Sequence, residues 1–266
     1  MLECVVNISE GRDRRLVERI TGDATDVLDI HTDSDHNRSV LTLVGTTAPR
    51  HVTSAAVETL DIRHHRGEHP RLGVVDVVPF IAVGETTRGE ALVARNEFAR
   101  WACDELSLPV FLYGPERTLP DIRRAAWTTL LPDVGPHQPH PTAGAVCVGV
   151  REPLIAYNVL LESNDMNAAK SIARRVRRPG LRSLAFLVEG RTQVSMNIVD
   201  TNSVRVSDAY DAVASEAAAS GISIRKAELV GLLLDEHLRA NEESRWDQLD
   251  IDVTRTVEYR MANRPA

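Results

Sequence analysis

The order of strand-like and helix-like segments predicts an α/β (α+β) protein made of two ferredoxin-like sandwich units. Three observations carry that reading. Short β-branched runs alternate with amphipathic helical stripes through Tyr113. The order strand–helix–strand–strand–helix–strand, the split βαβ unit, occurs twice along the chain. The chain has 266 residues, enough for two such units with cores of their own. The expected division is 1–143 and 144–266, with a cleft between the units as the default ligand site. The two halves are too dissimilar in sequence to count as a detectable repeat.

The elements follow in order. Leu2–Ile8 reads as a strand, and residues 12–24 as a helix behind Gly11. Residues 27–31 and 39–45 read as strands around a polar loop, and 48–60 as a helix with Val52, Ala55, Ala56 and Leu60 on one stripe. Residues 74–83 form a β-branched run expected to be a buried strand. Thr87 and Glu90, at capping-box spacing, open a helix over Arg88–Leu106. A short strand over 109–113 comes next, then a proline-rich stretch with a helix near 121–130 and a loop over 133–144. Strands are expected at 145–150 and 154–161, and a helix at 164–178. Residues 181–188 and 192–199 read as a hairpin turning at Glu189, Gly190 and Arg191. A helix over 207–220 and a strand within 222–233 complete the pattern. The strand at 145–150 is taken to lead the second half.

Composition removes several classes of protein. An apolar share of 43% with 26% charged residues is ordinary for a globular chain. No apolar run reaches the length of a membrane span, and the N-terminus has neither the basic start nor the apolar stretch of a signal peptide. The net charge of −7 lacks the basic footprint of a nucleic-acid binder. Cys4, Cys103 and Cys147 form no CxxC pair and no disulfide framework, so a cytoplasmic, reducing compartment is expected.

Three segments concentrate chemistry. Arg63–His64–His65–Arg66–Gly67–Glu68–His69–Pro70–Arg71 gathers imidazoles, which titrate near neutral pH, and guanidiniums, which suit carboxylates and phosphates. Three readings compete there: a metal site using His65 and His69, a solvated polar loop, and an acid–base site on an anion-binding loop. Gly67 and Pro70 argue against the helix that would align the two histidines as metal ligands. The second segment, Asp29 to Ser39, includes His31, His36, Asn37 and Arg38, and reads equally as a turn rich in Asp and Asn. The third, Pro132 to Gly144, offers rigid backbone to a ligand or makes a plain linker.

At these segments the chain resembles the glutamate formiminotransferase family. The strings Asn7–Ile8–Ser9–Glu10–Gly11, Asp35–His36–Asn37–Arg38–Ser39, Gly67–Glu68–His69–Pro70, Arg71–Leu72–Gly73 and Asp76–Val77–Val78–Pro79–Phe80 stand in the family's order. So do Leu154–Ile155–Ala156–Tyr157–Asn158 and Gln193–Val194–Ser195–Met196–Asn197. The resemblance runs from Leu2 to Leu233 and covers the transferase part only, without the cyclodeaminase fused to it in vertebrates. It implies folate in a channel between two sandwich subdomains. It implies transfer of a formimino group between N-formimino-L-glutamate and N5 of tetrahydrofolate, in histidine and one-carbon metabolism. It also implies a homodimer, and requires no metal, nucleic acid or membrane. The family's catalytic histidine matches His69. Its folate loop matches Gly135, Pro136, His137, Gln138, Pro139, His140, Pro141, Thr142, Ala143 and Gly144.

The implied chemistry needs one imidazole that takes a proton from the attacking nitrogen and gives one to the departing nitrogen. Arg38, Arg63 and Arg71 are candidate clamps for the carboxylates of both ligands. Asn37, Asn158 and Asn197 are candidates for orienting the amidine, or else simple turn and strand-end caps. Where the family carries an aspartate that assists the histidine, this chain has His31. The loop after Asp133 reads Val134–Gly135–Pro136, and the family's Val-Gly-Leu-Val-Pro ending reads Val230–Gly231–Leu232–Leu233–Leu234. These departures leave open a different amine partner in specialised metabolism, or a folate-binding protein without turnover.

Overall fold

The computed structural model describes residues 1–22, 26–67, 70–188 and 190–264. His69, the histidine matched to the family's catalytic one, and Glu189 of the expected hairpin turn lie outside the described residues. The fold is mixed α/β with two sheets, as the sequence predicts. The chain divides into two compact units, Met1–Glu152 and a second that begins at Pro153.

The first unit opens with β1 (Leu2–Ile8), α1 (Arg14–Thr21), β2 (Val27–Asp33), β3 (Arg38–Val44), α2 (Thr47–Thr59) and β4 (Val75–Ala82). β1 pairs antiparallel with both β3 and β4, and β2 adds to β3. The unit continues through α3 (Arg88–Leu106), β5 (Val110–Tyr113), α4 (Leu119–Ala125) and β6 (Val146–Val150). β6 lies between β4 and β5, parallel to both, which makes a six-stranded sheet of order β2-β3-β1-β4-β6-β5. This corrects the expected boundary at 143/144. All five residues of β6 are buried, so the strand carries no polar alternation to show which sheet it joins. Its partners β4 and β5 hold it in the first unit.

Local chemistry sets the helix starts. The Asp13 carboxylate accepts from the Arg15 and Leu16 amides and opens α1. Thr87 and Glu90 form the expected reciprocal capping box of α3. α4 starts earlier than the sequence suggests, because Thr118 and Asp121 form a second box with Pro120 in the first turn. Alternation along the strands splits the side chains between two faces. Val6, Leu41, Val78, Phe80, Val146 and Val148 pack with α1, α2 and α3. Val77, Phe111, Tyr113 and Cys147 pack with Ile122 of α4 on the other face.

The second unit holds β7 (Ile155–Leu161), α5 (Met166–Val176), β8 (Leu181–Val188), β9 (Arg191–Ile198), α6 (Val206–Ala219) and β10 (Ile224–Val230). Its four strands run antiparallel in the order β10-β7-β9-β8. Tyr157, Val159, Leu161, Val194, Met196 and Ile198 point to the helices and form the core. The structure adds α7 (Asp235–Arg239), α8 (Trp246–Leu249) and α9 (Val257–Ala262). Each is too short for a hydrophobic period to register in sequence. α7 and α8 are anchored through Leu238, Leu249 and the Tyr157 hydroxyl, which donates to Leu249 O at 2.9 Å, and α9 through the Val257 amide, which donates to Leu233 O at 3.0 Å. Among the described residues no helix is long and apolar enough to cross a membrane.

Candidate active site

The loops at one end of the first sheet converge on a cluster of polar side chains. β1 ends at Ile8, and the chain turns there on two backbone contacts. The Ser9 amide donates to Val74 O and its hydroxyl to Gly73 O, both at 2.8 Å. The Glu10 carboxylate accepts from the amides of Arg12 and Asp13, so this acid is engaged in the turn that precedes α1. Between β2 and β3, the Asp33 carboxylate accepts from the amides of Asp35 and His36 in an Asx turn. Asn37 follows in the left-handed region, at φ 48°, a conformation that asparagine tolerates better than most residues. Gly11 packs against this turn so closely that a Cβ would stand 2.1 Å from Asp33 O. Glycine is required there.

Arg38 leaves the turn as the first residue of β3, and its Nε donates to Asn7 Oδ1 at 3.2 Å. Burial lowers its pKa to about 10, with Arg123 and Arg71 pushing the same way and Asp76 opposing. The guanidinium therefore stays charged at neutral pH. Asp76 on β4 is buried and accepts from the Leu72 amide at 2.8 Å and from both terminal nitrogens of Arg123 on α4. Burial pushes its carboxyl up, but the bonds to Arg123, the charge of Arg38 and the Leu72 amide outweigh this and hold it below the usual range. Arg71 donates to His36 O at 3.3 Å. Burial and Arg123 lower its pKa against the pull of Asp76. Three guanidiniums thus interact around one carboxylate, which leaves local positive charge on a chain that is acidic as a whole.

The structure brings together some of the expected residues and separates others. Arg38, Arg71 and Asn37 meet. Arg63 does not join them: its exposed guanidinium forks onto Asp61, which it holds at a pKa of about 2. His64 is exposed and lies 3.7 Å from Asp61. His31 stands on edge strand β2 opposite Val40. His65 is half-buried. Burial and then Arg71 depress its pKa, with the Ser9 backbone and Glu10 pulling the other way.

The 135–144 loop is stitched to the chain that flanks His69. Thr142 O accepts from Ile62 N, and Ala143 O from Val74 N. Residues 136–139 are exposed, whereas His140 closes the loop: its backbone exchanges two hydrogen bonds with Gly144, and its Nδ1 accepts from the Ala143 amide at 3.0 Å. The space at Gly144, the last residue of the segment matched to the family's folate loop, is taken by the protein's own chain. A Cβ there would meet Leu72 O at 2.2 Å, and φ is +74°.

In the second unit, Asn158 and Asn197 lie on the sheet face opposite the helices. Asn158 Nδ2 donates to Glu228 Oε2 at 2.9 Å, and Asn197 is exposed. Gln193 and Ser195 share that face and bond to each other at 2.8 Å. The sequence reading missed Asp76, Arg123 and Glu228 as polar partners. Asp76 stands in a quoted motif, but nothing in the local pattern links it to Arg123. Among the described residues no three His, Cys, Asp or Glu side chains are grouped to hold a metal.

Fold and cluster define a class: an α/β chain of two split βαβ units, with half-buried guanidiniums at the end of one sheet. The chain belongs to the formiminotransferase family. Residues 1–151 match the N-terminal subdomain of the formiminotransferase domain, and residues 156–243 match the formiminotransferase domain. It is 34% identical to the glutamate formimidoyltransferase of Thermoplasma acidophilum, over 90% of this chain and 89% of that protein. It is 31% identical to the glutamate formimidoyltransferase of Streptococcus pyogenes, over 87% and 88% of the two chains. The formimidoyltransferase-cyclodeaminase of Rattus norvegicus is 31% identical over 88% of this chain, which spans 50% of that protein.

Proposed function

We propose that this chain is a folate-dependent formimidoyltransferase acting between N-formimino-L-glutamate and tetrahydrofolate. Besides family membership, the observation that carries the reading is the half-buried guanidinium cluster of Arg38, Arg71 and Arg123 around the buried Asp76. Both ligands bear carboxylates, and guanidiniums held in low dielectric bind them strongly. Bound tetrahydrofolate supplies N5, the amine that takes the formimino carbon. Arg38 and Arg71 hold carboxylate against the cationic end of the sheet. His69 accepts the proton lost from N5 and returns it to the glutamate nitrogen as the old carbon–nitrogen bond breaks. One bond forms, one breaks, and one proton crosses. The 135–144 loop, joined by hydrogen bonds to residues 62 and 74, contributes backbone to the folate side.

The test is transfer by purified protein given tetrahydrofolate and formiminoglutamate, with acid conversion of the product to its methenyl form read by absorbance. Transfer is expected, and His69→Ala is expected to lose about 10²-fold or more in kcat with folate affinity retained. Near-normal turnover in that variant assigns the proton shuttle elsewhere. Folate binding without transfer from formiminoglutamate, but with transfer from another formimino amine, replaces the donor and keeps the chemistry.

A further inference from the structure

The side-chain amide of Asn37 is the meeting point of three loops. Its Oδ1 accepts from the Gly11 amide at 2.9 Å, and its Nδ2 donates to Arg66 O at 2.9 Å. A backbone N–H on one side and a carbonyl on the other allow only one orientation of the amide. The Nδ2 group therefore faces His65 Nδ1, 3.4 Å away, with a hydrogen. Nδ1 must accept, so the neutral ring carries its proton on Nε2. Nε2 is buried and makes no hydrogen bond. The Ser9 backbone lies near the ring and favours its protonated form, yet Nε2 is left without a hydrogen bond, a donor in reserve.

We propose that Asn37 is a positioning residue for the transfer: it holds His65 neutral in the Nε2–H tautomer, as a donor for an acceptor that arrives with the ligand. The proposal rests on the transferase reading above. The charged groups acting on the ring are Arg71 and Arg12, which oppose a second proton, and Glu10, which favours one. Protonation would set an Nδ1–H against the Asn37 N–H, two donors face to face, and break the contact. Since burial and Arg71 depress the His65 pKa, the clamp holds through the imidazole's ordinary range and fails only below it.

The experiment uses the full chain with 15N-labelled histidine. Long-range proton–nitrogen correlations, assigned by the signal lost in His65→Gln, are expected to show His65 as Nε2–H from pH 6.5 to 8. Asn37→Asp keeps the shape and the Gly11 contact but presents an acceptor to Nδ1. It is expected to change the nitrogen pattern, raise the acid limb of the kcat profile and lower kcat about tenfold, with KM little changed. Asn37→Gly keeps the left-handed backbone and deletes the amide; it is expected to lose kcat without that rise in the acid limb. His65→Gln retains an N–H donor and is expected to keep more kcat than His65→Ala. The proposal is overturned by an Nδ1–H pattern in the wild type, or by kcat within about twofold of wild type in both Asn37 variants. A rise in KM alone also overturns it, since that makes Asn37 a direct ligand of the substrate. A wild type with the Nε2–H pattern and no transfer from any formimino donor sinks the reaction instead, and leaves the tautomer assignment standing.

Discussion

Arg123 reaches Asp76 across 47 residues of chain, and this pair sets the charge beside which Arg38 and Arg71 operate. Replacing Asp76 with Asn removes the buried carboxylate that Arg123 binds and that acts on Arg38 and Arg71. Removing one partner of a buried pair typically destabilises by about 3–5 kcal/mol, and that loss is expected for Asp76→Asn in urea at pH 7. The pH dependence has a definite sign. The folded pKa of Asp76 is depressed, so its contribution is complete above the ordinary carboxylate value of about 4 and is lost as pH falls below it. The gap between wild type and variant should narrow between pH 5 and pH 3, as a matter of order. A gap constant across that interval contradicts the role given to the pair. Asn37, Arg38 and Arg71 were legible as candidates because imidazoles, amides and guanidiniums crowd two short segments. Arg123 was not, since only the crossover from β5 through α4 carries it over the sheet face that holds Asp76. Arg63 sits in the same dense segment, yet Asp61, two residues away, captures it.

Loops were harder to read than strands and helices, and the 135–144 loop shows why. Its glycines and prolines are compatible with a ligand contact and with a tight closure of the chain, and sequence does not separate the two. In the structure Gly144 bridges Gly73, and Leu72 O fills the place of its missing Cβ. Gly144→Ala is therefore expected to lower stability by more than about 1 kcal/mol, since it adds a side chain at positive φ against backbone. Any loss of folate affinity should follow the loss of folded protein. A melt and a folate titration of the same sample decide this: an unchanged melting temperature with weakened binding returns Gly144 to the ligand. The regular elements were legible because period and caps agree, as at Thr87 and Glu90. Strand β6 was seen as a strand but given to the wrong sheet. A strand buried on both faces has no polar side to mark its partners.

Each unit has its own sheet and its own core, and the repeated βαββαβ order was legible because each copy repeats the same alternation of periods. Net charge over the whole chain says nothing of the local field, which the arginines crowded into residues 63–71 already suggest in sequence. The whole chain carries a net charge of −7, which by itself repels anionic ligands. The guanidiniums of Arg38, Arg71 and Arg123 stand half-buried around the buried Asp76, where counterions reach them less than at the open surface. The two fields respond differently to salt. Diffuse repulsion from the surface is screened beyond about 10 Å at 0.1 M ionic strength, whereas the partly buried cluster is screened much less. If the cluster governs binding, KM for formiminoglutamate should change by less than about threefold between ~0.01 M and ~0.15 M ionic strength. Arg38→Met, which removes one of the three positive groups, should raise KM about tenfold or more at either salt. Steady-state kinetics of both proteins across that range make the comparison. A wild-type KM that falls steeply with added salt, with Arg38→Met behaving like wild type, would mean that overall acidity sets affinity and that the carboxylates bind away from this cluster.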